Sequence, residues 1–260
     1  MPKRPPNLPT RLFRLARHPT RVYDKVAAKL PPSIAGRLDL FMRPSFRSPT
    51  GGPLNGQTER QRIVKQIFEK VPVDAIVETG TYRGSSAKYF TQHFRVPLYT
   101  VEMHPRYFAY SRLRLRVNRL VHVRQGDSRE FLRALAREAG VPKRLVFFYL
   151  DAHWGKELPL REEVSIITEA WSDIVILIDD FQVPDDPGYG FDDYGEGFRL
   201  TAEYLAPDTW SAYVALYPAA TSAEETGRKR GCIVLVSKGL EHLVPDLTLL
   251  REGPARTLSG

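Results

Sequence analysis

From residue 57 onward the chain alternates short, continuously apolar runs with stretches whose apolar positions recur at helical spacing. Gln57–Glu69 carries Ile63, Val64, Ile67 and Phe68 on one helical face, followed by the apolar run 74–78. The same alternation continues with a helix over 85–94, a strand over 97–102, a helix over 106–117 and a strand over 121–124. A helix over 129–139, a strand over 145–150, a helix over 160–170 and a strand over 174–178 complete it. Strands apolar on both faces, separated by helices, predict a parallel sheet covered on both sides. The end differs. Runs 210–216 and 232–236 are joined by the turn-rich stretch 218–231, which predicts an antiparallel hairpin.

The first 56 residues read differently, as an extension preceding a body of residues 57–260. Nine prolines lie in residues 1–50, so 1–20 and 43–56 are expected to be extended or mobile. Between them Val22, Tyr23, Val26, Ala27 and Leu30 predict a short basic amphipathic helix, with Thr20 as N-cap and Pro31-Pro32 as its stop. The chain has 260 residues and a net charge of +8. Residues 1–50 hold 11 Lys/Arg against two acids, whereas the other 210 hold 27 Lys/Arg against 28 acids. The basic balance therefore belongs to the extension and says nothing about the substrate of the body. The extension reads as a helix docked on the body, a contact for membrane or nucleic acid, or an organelle transit peptide. The single Cys232 excludes an intramolecular disulfide and a Cys-rich zinc site. No apolar run approaches the ~20 residues of a membrane span, and a cytoplasmic location is expected.

Ligands of open α/β sheets bind at the carboxyl ends of the strands, so candidate chemistry is read there. The first strand ends in Glu78-Thr-Gly80-Thr-Tyr-Arg-Gly84-Ser-Ser86. This is neither the dinucleotide fingerprint nor a P-loop, because Tyr82 stands where a glycine is needed and no Gly-Lys-Ser/Thr follows. A tight turn alone also explains the glycines. The second strand ends in Glu102, suited to ribose hydroxyls, or else simply an exposed strand-end acid. The third ends in Gly126-Asp127-Ser128, suited to an adenine amino group or to capping the next helix. Strand four ends Asp151-Ala-His153-Trp154-Gly-Lys156, and strand five ends Asp179-Asp180. Three converging carboxylates repel one another unless a hard divalent cation, Mg²⁺ first among them, sits between them. The alternative is that one acid caps a helix and another pairs with an arginine such as Arg161. The following stretch 182–197, rich in acids, glycines and aromatics, reads as a solvated loop or as a substrate lid.

Together these motifs resemble the class I S-adenosylmethionine-dependent methyltransferases, over residues 57 to about 240. The resemblance implies a Rossmann-like α/β sheet of seven strands in the order 3-2-1-4-5-7-6, its last strand antiparallel. It implies S-adenosylmethionine contacts from Glu78, Gly80, Thr81, Gly84 and Ser85 at the methionine part and from Glu102 at the ribose. Asp127 and Ser128 would lie beside adenine, and Asp151 at the reacting end. The acidic set Asp151, Asp179 and Asp180 resembles the metal-dependent O-methyltransferases of macrolide and aminocoumarin sugars more than the catechol type. Asp151 would serve both cation and catalysis, with His153 or Lys156 as the base. The implied reaction is methylation of a hydroxyl on a small molecule, a sugar or natural product. A homo-oligomer packed through the extension fits the same resemblance. Two other readings stand beside it. One is a hydroxylase-like enzyme on this fold holding Fe(II) between Asp151, His153 and Asp179. The other is a non-catalytic adenosyl-binding module tethered through the basic extension.

Overall fold

A computed structural model describes residues 19–48, 51–153 and 158–253. Helices α1 (Pro19–Ala27) and α2 (Pro32–Met42) precede α3 (Thr58–Lys70) and strand β1 (Ala75–Thr79). Then follow α4 (Ser85–His93), β2 (Leu98–Glu102), α5 (Pro105–Leu115), β3 (Val121–Gln125) and α6 (Ser128–Arg137). Next come β4 (Val146–Leu150), α7 (Leu160–Ala170) and β5 (Val175–Asp179). The end is α8 (Thr209–Ala212), β6 (Tyr213–Pro218), β7 (Cys232–Ser237) and β8 (Leu250–Glu252).

The strands form one sheet in the order β3-β2-β1-β4-β5-β7-β6-β8. β1 to β5 pair in parallel, and β7 runs antiparallel to both β5 and β6. This is the anticipated order with one strand added: β8 pairs antiparallel with β6 and makes the sheet eight-stranded. The continuous apolar runs are explained by burial on both faces. In β4, Val146, Phe148 and Leu150 enter one core, while Phe147 and Tyr149 enter the other. In β5, Ile176 and Ile178 face the first and Val175 and Leu177 the second.

The other departures have local causes. The stretch 210–212, expected as strand, is instead the helical turn α8, and β6 begins at Tyr213. The first helix already contains Thr20 and ends at Ala27, and Pro31-Pro32 opens a second helix rather than only closing the first. Proline is tolerated at a helix's first position because the missing N–H has no intrahelical partner there. The stretch 43–56, expected as extended, contains 3₁₀ turns at Pro44–Arg47 and Pro53–Gly56. Its Leu54 is buried in the core between α3 and the sheet.

Candidate functional site

The β1 turn is shaped by Gly80, whose φ is +86°. A Cβ there would lie 2.2 Å from the Asp151 carbonyl oxygen, so only glycine lets the β1 and β4 ends approach this closely. Beneath the turn, Thr100 Oγ1 donates to Glu78 Oε2 at 2.6 Å, and Thr81 and Thr100 hydroxyls lie 2.6 Å apart. Burial pushes the Glu78 carboxyl up to about 8, with Thr100 working against that and Glu102 adding to it. Gly84 occupies the left-handed N-cap of α4, and Ser85 begins the helix.

Glu102 is buried and accepts from the Tyr82 and His104 backbone N–H groups, at 2.7 and 2.8 Å, one on each oxygen. A carboxylate offers about four acceptor sites, so Glu102 keeps acceptor capacity beyond its backbone partners. Burial raises its pKa, and the backbone hydrogen bonds oppose the rise. Asp127 caps α6 by accepting from Arg129 N at 2.8 Å and is gripped by the Arg129 side chain, which lowers its pKa. Ser128 is buried beside it. The glycine turn and the buried Glu102 thus lie side by side at the carboxyl ends of β1 and β2, joined by the Tyr82 N–H.

At the reacting end the two neighbouring acids of β5 part company. Asp179 is fully buried and engaged on both oxygens by one ion pair and three hydrogen bonds. Oδ1 pairs with Arg60 and accepts from Asp180 N at 2.8 Å; Oδ2 accepts from the Tyr149 hydroxyl and from Asn55 Nδ2 at 3.2 Å. Engaged by these partners, Asp179 does not belong to the group of possible cation ligands among the described residues. Asp180, in the left-handed region at φ +51°, turns its side chain elsewhere. Its Oδ1 accepts from Arg230 Nε at 2.8 Å and Asn55 Nδ2 at 3.3 Å. Arg161, the arginine considered from sequence, instead donates to the Tyr204 carbonyl.

Among the described residues, Asp151, His153 and Asp180 place one ligand atom each within 4.8 Å of one another. His153 Nε2 is buried without a hydrogen-bond partner, 3.9 Å from Asp151 Oδ1 and 3.7 Å from Asp192 Oδ2. Both distances exceed hydrogen-bond reach. Burial lowers the His153 pKa despite the nearby acids, which favours the neutral imidazole, the form that can donate a lone pair. Burial and the neighbouring Asp180 and Glu78 hold the Asp151 carboxyl well above the ordinary range. Among the described residues, Arg60 and Arg230 are the cations paired with this acidic group, Arg60 with Asp179 and Arg230 with Asp180 and Asp192, and neither pairs with Asp151. The donor set, two carboxylates and an unpartnered imidazole nitrogen, fits a divalent cation. Lys156 and Trp154 lie outside the described residues.

The acidic stretch 182–197 is anchored. Asp192 pairs with Arg230 and accepts from the Tyr194 hydroxyl at 2.7 Å. Asp185 pairs with Arg251, Asp186 accepts from Ser222, and Asp193 pairs with Arg199. Sequence reasoning missed Asn55, Arg60, Tyr149 and Arg230 as site residues. Arg60 carried a signal: it precedes Ile63, Val64 and Ile67 by three, four and seven residues, which puts it on the buried face of α3.

A scan of protein-family models and a search of curated proteins find no match for this chain. Solved structures do resemble it. An O-methyltransferase from Bacillus cereus in complex with SAH aligns over 84% of this chain and 98% of that chain, with TM-score 0.51 and 18% identity. An O-methyltransferase from Streptomyces achromogenes, involved in tomaymycin synthesis and bound to SAM, covers 68% of this chain and 80% of its own at TM-score 0.49 and 17% identity. An amino pentose methyltransferase from Micromonospora echinaspora, also SAM-bound, covers 69% and 90% at TM-score 0.46 and 15% identity. The fold is that of the class I S-adenosylmethionine-dependent methyltransferases. No helix among the described residues is long and apolar enough to cross a membrane.

Proposed function

We propose that the chain is an S-adenosylmethionine-dependent O-methyltransferase acting, with a divalent cation, on a hydroxyl of a small molecule. The observation that carries this reading is a shared residue. Asp151 closes against Gly80 in the cofactor cradle and also belongs to the cluster with His153 and Asp180. Cofactor and cation would therefore meet at one strand end, where methyl donor and acceptor must be brought together. The Bacillus cereus neighbour, an O-methyltransferase complexed with SAH, supports the reaction type. The sugar or natural-product acceptor follows the sequence resemblance.

In this reading Glu102 holds the ribose, Gly80 and Gly84 keep the β1 turn open to the methionine part, and Asp127 with Ser128 flanks the adenine. Asp151, His153 and Asp180 hold the cation. Asp179, expected from sequence as the third ligand, instead positions Asp180 and Tyr149 through its own hydrogen bonds. When bound, the cation supplies a Lewis acid that lowers the pKa of the acceptor hydroxyl. An imidazole among the ligands makes Mn²⁺ or Fe²⁺ as suitable as Mg²⁺. With His153 Nε2 committed to the cation, Lys156 is the remaining candidate to take the acceptor proton. Arg230 fixes the 182–197 loop over the site by bridging Asp180 and Asp192. Radiolabelled methyl transfer from S-adenosylmethionine to a panel of hydroxylated sugars, abolished by chelation and restored by Mn²⁺ or Mg²⁺, tests the reading. The His153 donor also favours a second reading, iron-dependent hydroxylation, which cation-dependent dioxygen consumption without methyl transfer would support.

A further inference from the structure

Apart from Asn55 near its end, the basic extension has no role in the site described above, yet its described part is firmly built. α2 lies so close to α5 that a Cβ on Gly36 would meet the Arg106 carbonyl oxygen at 2.0 Å. Asp39, buried between them, accepts from Arg106 Nε at 2.6 Å and Nη2 at 2.9 Å, and from the Tyr23 hydroxyl at 2.8 Å. The other acid of the extension, Asp24, pairs with Arg43. Both negative charges of residues 1–50 are thus consumed internally.

The outward face of α2 is apolar. Ile34, Leu38, Phe41 and Met42, at i, i+4, i+7 and i+8, are 39 to 62% exposed, and Val26 of α1 is 53% exposed. Interleaved with them, Lys25, Lys29 and Arg37 are exposed and have no acid partner among the described residues. Phe41 also reaches a cavity of about 390 Å³, which it lines with Val117, Arg47, Lys88, Arg114 and Arg116, and with no acid among its described lining residues. Residues 1–18 add five Lys/Arg and no acid in the sequence.

We propose that α1, α2 and the adjoining basic groove form a docking surface for an anionic phospholipid bilayer. Exposed apolar side chains ringed by unpaired cations are what an interfacial helix presents, its apolar groups entering the acyl boundary and its cations meeting lipid phosphates. A nucleic acid would use the cations but gain nothing from exposed Ile34, Leu38 and Met42. A second copy would bring two strongly basic extensions face to face.

The test is flotation of the full chain with vesicles of phosphatidylcholine alone and of phosphatidylcholine with 30% phosphatidylserine. The chain should float with the anionic vesicles only and be released at least tenfold by 0.5 M NaCl. Leu38→Glu/Phe41→Glu should lower the bound fraction at least tenfold at an unchanged melting temperature. Lys25→Glu/Lys29→Glu/Arg37→Glu, which leaves the apolar stripe alone, provides the second variant and should lose binding as well. The proposal is overturned by failure to float with anionic vesicles, by equal binding to neutral ones, or by binding insensitive to both variants. It is equally overturned if light scattering shows a dimer that Leu38→Glu/Phe41→Glu dissociates, or if the chain binds single-stranded RNA but not vesicles.

Discussion

Arg60 and Asp179 form an ion pair between α3 and the end of β5, with side chains 1% and 0% exposed. The pair joins the segment just before the sheet to the strand that ends beside the reacting cluster. Arg60 also donates to the Arg230 carbonyl, so one buried guanidinium fixes both β5 and the residue that bridges Asp180 and Asp192. Breaking a buried pair strands a charge in low dielectric. Arg60→Met should therefore cost about 3–5 kcal/mol in urea unfolding. The double variant Arg60→Met/Asp179→Asn should lose clearly less, and equal losses would show that the two residues do not act as a pair.

The division of labour between the β5 acids predicts different metal phenotypes. In wild type, Mn²⁺ at 100 times its dissociation constant should stabilise by about 2.7 kcal/mol, a thermal shift of about 5–10 °C. Asp180→Asn and His153→Ala should weaken cation affinity about 100-fold or more, beyond the loss usual for an outer-shell partner. Asp179→Asn should lower stability but keep a measurable cation-induced shift. Calorimetric cation titration of the three variants distinguishes these outcomes.

Strand geometry explains why Asp179 and Asp180 find different arginine partners. The alternation that assigns β5 faces also places Asp179 with Val175 and Leu177, toward α3, and not toward its neighbour in sequence. Continuous apolar runs made β1 to β5 legible, while their order came from the family resemblance. The partner of Asp179, however, lies more than 100 residues away on a helix read only for its apolar face. The turn at Pro53–Gly56 was obscured by composition, since proline and glycine density marks a loop but not that Asn55 reaches Asp179 and Asp180. His153 entered the reading as a candidate base, and as a ligand only in the Fe(II) alternative, because its neighbours in space are invisible in a one-dimensional pattern.

Glu78 sets a pH dependence. Its pKa is raised from the ordinary 4.5 to about 8, so its neutral form is the one the fold prefers. A carboxyl raised in this way contributes full stability below pH 4.5, and loses it progressively as pH climbs to about 8. The cost above that pH is on the order of 5 kcal/mol. Glu78→Gln should match wild type near pH 4.5 and be the more stable protein at pH 8.5. Parallel pH profiles in denaturant unfolding would contradict the assignment.

Arg230→Ala removes the cation between Asp180 and Asp192. The 182–197 loop should then show faster amide exchange, confined to that loop and the adjoining β7 entry, and methyl transfer should fall about tenfold or more. Unchanged exchange in the loop would mean that the bridge does not hold it.

The cradle at Gly80 and Glu102 bears most directly on the central claim, and calorimetric titration of the full chain with S-adenosylmethionine measures it. The account predicts one-to-one binding, weakened at least tenfold by Gly80→Ala, whose Cβ would meet the Asp151 carbonyl oxygen, and by Glu102→Ala. Absence of binding by the folded wild-type chain, with Mn²⁺ and without it, would contradict the assignment of a methyltransferase.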